Sequence, residues 1–154
     1  MEYSGSKRLM MIEKVLVLKS LNLFSDTPEN ILADLAPLMQ EKTYEEGSVI
    51  FKEGETGDCM YIIQQGKIKI MKGNNTLAIL KEKEVFGELS LLDADTRSAT
   101  AIAHSDCILF KIDQEPFYEL MDERPEVAKG FIKILCQRLR AMNEKSGIII
   151  TDKN

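Results

Sequence analysis

The segment Phe86-Gly87-Glu88-Leu89-Ser90-Leu91-Leu92-Asp93-Ala94-Asp95-Thr96-Arg97-Ser98-Ala99-Thr100-Ala101 interrupts a region of short β-prone runs. Within it, Gly87–Leu92 has the length of one or two helical turns. Before it lie runs at Val49–Phe51, Cys59–Ile63, Lys67–Met71 and Thr76–Leu80, and after it Thr100–Ala103 and Cys107–Ile112. Gly47, Gly54, Gly57, Gly66, Gly73-Asn74-Asn75 and His104-Ser105-Asp106 punctuate these runs, and Gln64–Lys67 and Lys72–Asn75 read as hairpin turns. Many short strands at regular spacing predict a closed or double-layered antiparallel sheet, a barrel or jelly roll.

Helical patterns flank this region. Met11, Ile12, Val15, Leu16 and Leu18 predict a first helix from about Ser6 to Ser20. Thr27 is a suitable N-cap for a second, with Pro28 at its first position and Ile31, Leu32, Leu35, Leu38 and Met39 at helical spacing. Pro37 should end that helix early, since it removes an internal hydrogen bond. Beyond the strands, Asp113 can cap a helix through Met121 that Arg124-Pro125 ends. Val127, Ala128, Phe131, Ile132, Leu135, Leu139 and Met142 then form an apolar stripe, Gly147 stops it, and Ile148–Ile150 make a short apolar tail. The expected fold class is α+β: a jelly-roll-like antiparallel β-roll carrying a short helix, between N- and C-terminal helices. The expected division is 1–42 helical, 43–113 β-roll and 114–154 C-terminal helices and tail, one domain in total.

Composition removes several classes of function. The 154 residues are 44% hydrophobic and 29% charged, which fits neither a disordered chain nor a membrane protein. The longest apolar run is Cys59–Ile63, so no membrane span is expected, and Glu13 and Lys14 break the signal-like stretch after Lys7 and Arg8. Twenty basic and 25 acidic side chains give a net charge of −5, most of it between residues 43 and 113. No basic stripe for nucleic acid is present. Cys59, Cys107 and Cys136 have the spacing of neither a zinc ribbon nor a redox pair, and read as buried, reduced thiols of a cytoplasmic protein.

The interrupting segment carries the chemistry. A glycine opening a short helix allows a ligand to approach the backbone, and the first amides of a helix lack internal partners, which makes an anion site. Nine residues after Glu88 stands Arg97, whose planar fork suits phosphate oxygens. A carboxylate beside a phosphate site makes sense if it accepts from a sugar hydroxyl. Phosphate and ribose on one small ligand point to a nucleotide.

This segment resembles the phosphate-binding cassette of the cyclic nucleotide-binding domain family: an apolar-G-E-x-small-apolar run, a spacer, then R-[S/T/A]-A, matched from Phe86 to Ala103. A second family signature, a G-acidic-x-G turn leading into apolar residues and a glycine, is similar to Gly54–Gly66; only Phe51, where smaller aliphatics are usual, departs. The resemblance covers residues ~20–145 and includes catabolite-activator-like and protein kinase A regulatory-subunit-like sensors. It implies that Gly87, Glu88 and Leu89 offer backbone amides, with Glu88 accepting from the ribose 2′-hydroxyl. It further implies that Arg97 clamps the exocyclic phosphate oxygens, Ser98 adds a hydroxyl and the Ala99 amide faces the phosphate. Arg138-Leu139 and Glu144-Lys145 look like the base-covering helix of bacterial catabolite-activator-type members, where Met142 and Asn143 fall at base-contacting positions.

The expectation is a cytoplasmic signal-transduction sensor for a cyclic nucleotide, cAMP favoured over cGMP, whose C-terminal helix closes over the base. No cofactor, metal or catalysis is implied, and no nucleophile–base set stands out. A homodimer through the C-terminal helix is a natural output, though the effector partner is unknown. The alternative is a ligand-free scaffold or dimerisation module that keeps the fold. Only 41 residues follow Asp113, too few for a helix-turn-helix after the two helices. The chain reads as a sensor domain cut from, or working with, a larger protein. Elsewhere the plain explanations serve: Glu88 and Arg97 alone would be a surface ion pair, His104 is a solvated turn residue, Gly54–Gly57 is too acidic for an RNA clamp, Asp93 and Asp95 face water, and the eight methionines fill the core.

Overall fold

The computed structural model describes residues 2–93 and 95–145. Helix α1 (Glu2–Ser20), a 3-10 turn (Asn22–Phe24), α2 (Glu29–Leu35) and a second 3-10 turn (Ala36–Leu38) come first. Strands β1 (Gln40–Tyr44), β2 (Val49–Phe51), β3 (Cys59–Gln65), β4 (Ile68–Lys72), β5 (Asn75–Leu80) and β6 (Val85–Phe86) follow. Then come α3 (Glu88–Leu92), β7 (Thr100–Ala103), β8 (Cys107–Asp113), α4 (Gln114–Glu123) and α5 (Pro125–Lys145). The strands form two antiparallel sheets of four, ordered β1-β8-β3-β6 and β2-β7-β4-β5, so the predicted roll between helices is what the chain builds.

Two apolar cores explain this layering. Inside the roll, Cys59, Tyr61 and Ile63 of β3 meet Ile68, Phe86, Ala101, Ala103, Cys107 and Leu109. On the outer face of the same sheet, Met60, Ile62, Phe110 and Ile112 pack against the helices. Strand β3 is thus buried on both faces, which is why it reads as a continuous apolar run instead of an alternating one. Phe131 of α5 sits edge-on between Phe24 and Phe117, at centroid distances of 5.3 and 4.8 Å, and ties both helical ends into one core.

Several local expectations change. Helix α1 begins at Glu2, ahead of Ser6. Pro28, not Thr27, occupies the N-cap of α2, and no side chain caps it. Asp113 holds the N-cap position of α4 but gives the helix no side-chain bond; its carboxylate takes Gln40 Nε2 at 2.7 Å and Lys111 Nζ at 3.3 Å. Helix α4 runs on to Glu123, and α5 starts at Pro125, the favoured first position for proline. The Gly147 stop and the Ile148–Ile150 tail lie outside the described residues.

Two strands have no sequence signal. Strand β1 is an edge strand, Gln-Glu-Lys-Thr-Tyr, with its three central residues exposed, and β6 has only two residues. Gln64–Lys67 is not a hairpin turn, because β3 and β4 belong to different sheets; it carries the chain across the roll. Gly66 makes that crossing with φ +96° where a Cβ would lie 2.4 Å from the Asp106 carbonyl oxygen. Lys72–Asn75 is a true hairpin between β4 and β5. Of the three cysteines, Cys59 and Cys107 are buried but Cys136 is exposed on α5. Met10 and Met142 are likewise exposed and fill no core.

Candidate functional site

The G-x-x-G turn and the cassette loop are two halves of one structure. The Gly54 amide donates to the Arg97 carbonyl at 2.8 Å, the Arg97 amide to the Glu55 carbonyl at 2.6 Å, and the Gly57 amide to the Asp95 carbonyl at 2.9 Å. Thr56 and Thr96 form an isolated antiparallel bridge between them. The backbone of Arg97 is therefore clamped along its length, and its side chain is aimed by the turn.

That side chain is buried, only 6% exposed. Its Nη2 donates to the Cys59 carbonyl at 2.9 Å and contacts Cys59 Sγ at 3.2 Å, while Nη1 reaches the Gly87 carbonyl at 3.5 Å. Its Cζ lies 4.0 Å above the centroid of the Phe51 ring. Two glycines wall it in: a Cβ at Gly57 would come within 2.5 Å of Arg97 Nε, and one at Gly87 within 2.5 Å of Nη1. All these neighbours are electrically neutral, and none of the ion pairs among the described residues includes Arg97. Two of its five N–H groups, on Nε and the second position of Nη1, have no hydrogen-bond partner among the described residues. The guanidinium is accordingly not the solvated group that a surface ion pair would present.

Arg97 forms the floor of a cleft of about 660 Å³. Gly87 and Glu88 at the start of α3, with Ser98 and Ala99 after Arg97, line the same cleft. Gly87 adopts φ +75°, a backbone turn suited to glycine; the Ser90 amide donates back to the Gly87 carbonyl at 3.1 Å, while the amides of Glu88 and Leu89, in the first turn of α3, come too early for a partner within the helix. Leu89 lies in that first turn. Gly87, Glu88, Arg97, Ser98 and Ala99, all singled out in the sequence, thus border one cavity. Met142 and Asn143 do not line it. Helix α5 reaches the cleft instead with Leu135, seven residues or about 10 Å earlier along the helix axis.

Sequence patterns missed Phe51, Ile70 and Leu135 as cleft residues because apolar side chains in strands and helices look like core. Also unforeseen is how α3 is anchored. Gln114 Nε2 donates to the Ser90 carbonyl at 3.4 Å, and the Tyr118 hydroxyl donates to the Leu92 carbonyl, so the last turn of α3 hangs on α4. Beneath the cleft, burial first and the nearby Cys59 and Tyr44 second push the Tyr61 phenol far above its usual range, so it stays neutral. Asp93 and Asp95 are exposed at the rim, and His104 is exposed in the turn before β8.

The profile of the family described as "Cyclic nucleotide-binding domain" matches residues 41–124. The chain belongs to this family. It is 30% identical over 142 residues to a CRP-like cAMP-activated global transcriptional regulator of Mycobacterium tuberculosis, covering 88% of this chain and 63% of the relative. It is 36% identical over 119 residues to the cyclic AMP receptor protein of Thermus thermophilus, covering 73% and 54%. Among solved structures, the N-terminal domain of a transcriptional regulator from Streptomyces coelicolor superimposes with a TM-score of 0.75 at 32% identity, over 83% of this chain and 95% of that one. The chain thus spans a little over half the length of these curated relatives. Like those folds, this cyclic nucleotide-binding domain is a β-roll between helices. Among the described residues, no helix is long and apolar enough to cross a membrane.

Proposed function

We propose that the domain is a sensor whose cleft captures a cyclic nucleotide, cAMP in preference to cGMP, and transmits its presence through α5. One observation carries the reading. A buried arginine, held only by neutral carbonyls, a thiol and an aromatic face, forms the floor of an open cleft among the cassette residues. Burying a cation without an anion is unfavourable, and a phosphate is the partner that a planar guanidinium fork fits best.

In this reading Arg97 binds the exocyclic phosphate oxygens, and the amides of Gly87, Glu88, Leu89 and Ala99 complete the anion's coordination. The Glu88 carboxylate accepts from the ribose 2′-hydroxyl, and Ser98 adds its hydroxyl at the phosphate. The base then lies beneath α5. Leu135 already borders the cleft, so closure needs only the later turns, with Met142 and Asn143, to move inward. The preference for cAMP is supported by the names of the Mycobacterium tuberculosis and Thermus thermophilus relatives. Asn143 offers the paired donor and acceptor that an adenine edge needs.

Transmission is a population shift: ligand stabilises one position of α5 over another. Ile132, Leu139 and Met142 are exposed on that helix at 58, 52 and 64%, a face suited to a second subunit or an effector. The reading includes no catalytic step. Calorimetric titration with cAMP and cGMP tests it. Saturable binding of one nucleotide per chain with tighter cAMP supports it; a folded chain that takes up neither at millimolar concentration leaves the scaffold alternative.

A further inference from the structure

Phe51 stands at the end of β2, where the pairing with β7 is irregular between Val49 and Phe51. Its ring is fixed from two sides, with centroids 6.1 Å from Tyr61 and 5.9 Å from Phe86, which themselves stack at 5.1 Å. On top of this aromatic trio lies the guanidinium of Arg97, 4.0 Å from the Phe51 centroid. The carbonyls of Cys59 and Gly87 hold the guanidinium in its own plane. Only one of those contacts, at 2.9 Å, is short. The ring supplies the restraint perpendicular to the plane.

We propose that Phe51 is the positioning residue of the anion-binding arginine: it holds Arg97 in the orientation that receives a phosphate, without neutralising it. This rests on the cyclic-nucleotide reading above. A carboxylate partner would hold the guanidinium equally well but would have to be displaced by the incoming anion. An aromatic face attracts a cation through its quadrupole and leaves the full positive charge, and the N–H groups at Nε and Nη1, available to the ligand. Gly57 and Gly87 leave the room this position needs, since any side chain there would occupy the space of the guanidinium. The conformation competent for phosphate is therefore the resting one. When Phe51 is lost, the arginine samples other rotamers, and apparent affinity falls in proportion to the fraction that remains in place.

The test compares Phe51→Leu, Phe51→Met and Phe51→Tyr, each confirmed folded by thermal unfolding, with cAMP as the probe. Phe51→Leu and Phe51→Met should weaken cAMP binding about 5- to 30-fold, the range set by a desolvated cation–π contact. Phe51→Tyr, which keeps the ring face, should stay near wild type. In an Arg97→Gln background, Phe51→Leu should have no further effect, which a general packing role could not produce. A second readout needs no nucleotide. The Arg97 Nε–Hε resonance of the ligand-free domain should be shifted by the ring current in wild type and Phe51→Tyr, and relax toward the value of a free arginine in Phe51→Leu. Unchanged affinity in both apolar variants, or an Arg97 resonance indifferent to them, overturns the role of Phe51 while leaving nucleotide binding intact. A wild type that takes up neither cAMP nor cGMP, yet shows the ring-current shift, overturns the nucleotide reading and retains the Phe51–Arg97 placement.

Discussion

Three glycines around Arg97 form a built-in experiment. At Gly57 the backbone is ordinary, but an added Cβ would lie 2.5 Å from Arg97 Nε, 2.6 Å from Ser90 Oγ and 2.8 Å from Arg97 Cδ. At Gly54 the situation is reversed: φ is +90°, yet a Cβ would meet nothing within 4 Å. Gly87 combines both, with φ +75° and a Cβ 2.5 Å from Arg97 Nη1. Gly57→Ala should therefore act through crowding, Gly54→Ala through backbone strain, and Gly87→Ala through both. Relieving the Gly57 contacts requires Arg97 to move by roughly 1 Å, enough to misalign charge-assisted hydrogen bonds worth about 1.5–3 kcal/mol each. Gly57→Ala should then lose about 10- to 100-fold in nucleotide affinity and, by overpacking, about 1–3 kcal/mol in stability. For a chain of this size that stability loss is a fall in Tm of about 2–12 °C. Gly54→Ala should lose about 1–2 kcal/mol of stability from its left-handed backbone but bind nucleotide much as wild type. Thermal denaturation and calorimetric titration of the three variants read both quantities. In an Arg97→Ala background the stability cost of Gly57→Ala should shrink, because two of its three close contacts are gone. Equal affinity for Gly57→Ala and wild type would refute the claim that the buried position of Arg97 is the one that captures the ligand.

Arg97→Ala should weaken cyclic nucleotide binding at least ~10-fold by titration, and because the side chain is buried it should also cost about 1–2 kcal/mol in urea unfolding. Glu88→Gln should bind cAMP more weakly than wild type, and a 2′-deoxy analogue should lose little further affinity in that variant; additive losses would separate the two groups. Hydrogen exchange on adding cAMP should show new protection along α5 from Lys133 onward, and unchanged exchange there would make the helix a fixed element. The raised Tyr61 pKa makes the neutral phenol favourable to folding, so its contribution is complete below the unfolded value of about 10 and is lost as pH rises beyond it. Tyr61→Phe should flatten the alkaline loss of stability measured between about pH 9 and 11.

Much of this was legible in the chain because local chemistry and tertiary role coincide. The apolar run Cys59–Ile63, the Gly73-Asn74 turn and the Pro37 stop each have one physical meaning, and each produces the expected element. The short helix of the interrupting segment was legible for the same reason: a glycine at positive φ opens it between two β-prone runs. Strand β1 was not, because an exposed edge strand has no buried face to impose alternation. Nor was the crossing at Gln64–Lys67, since a glycine-containing turn has the same composition whether it returns to its own sheet or passes to another. The burial of Arg97 depends on Phe51, the Gly57–Cys59 segment and Gly87 arriving from three separate places in the sequence, and no local pattern carries that.

The most direct test of the central claim is a heteronuclear NMR titration of the folded chain with cAMP. The amides of Gly87, Glu88, Leu89 and Ala99 and the Arg97 Nε–Hε group should shift together and saturate at one nucleotide per chain. Saturating cAMP that leaves these five signals in place, or moves only signals elsewhere, would contradict phosphate capture at this cleft.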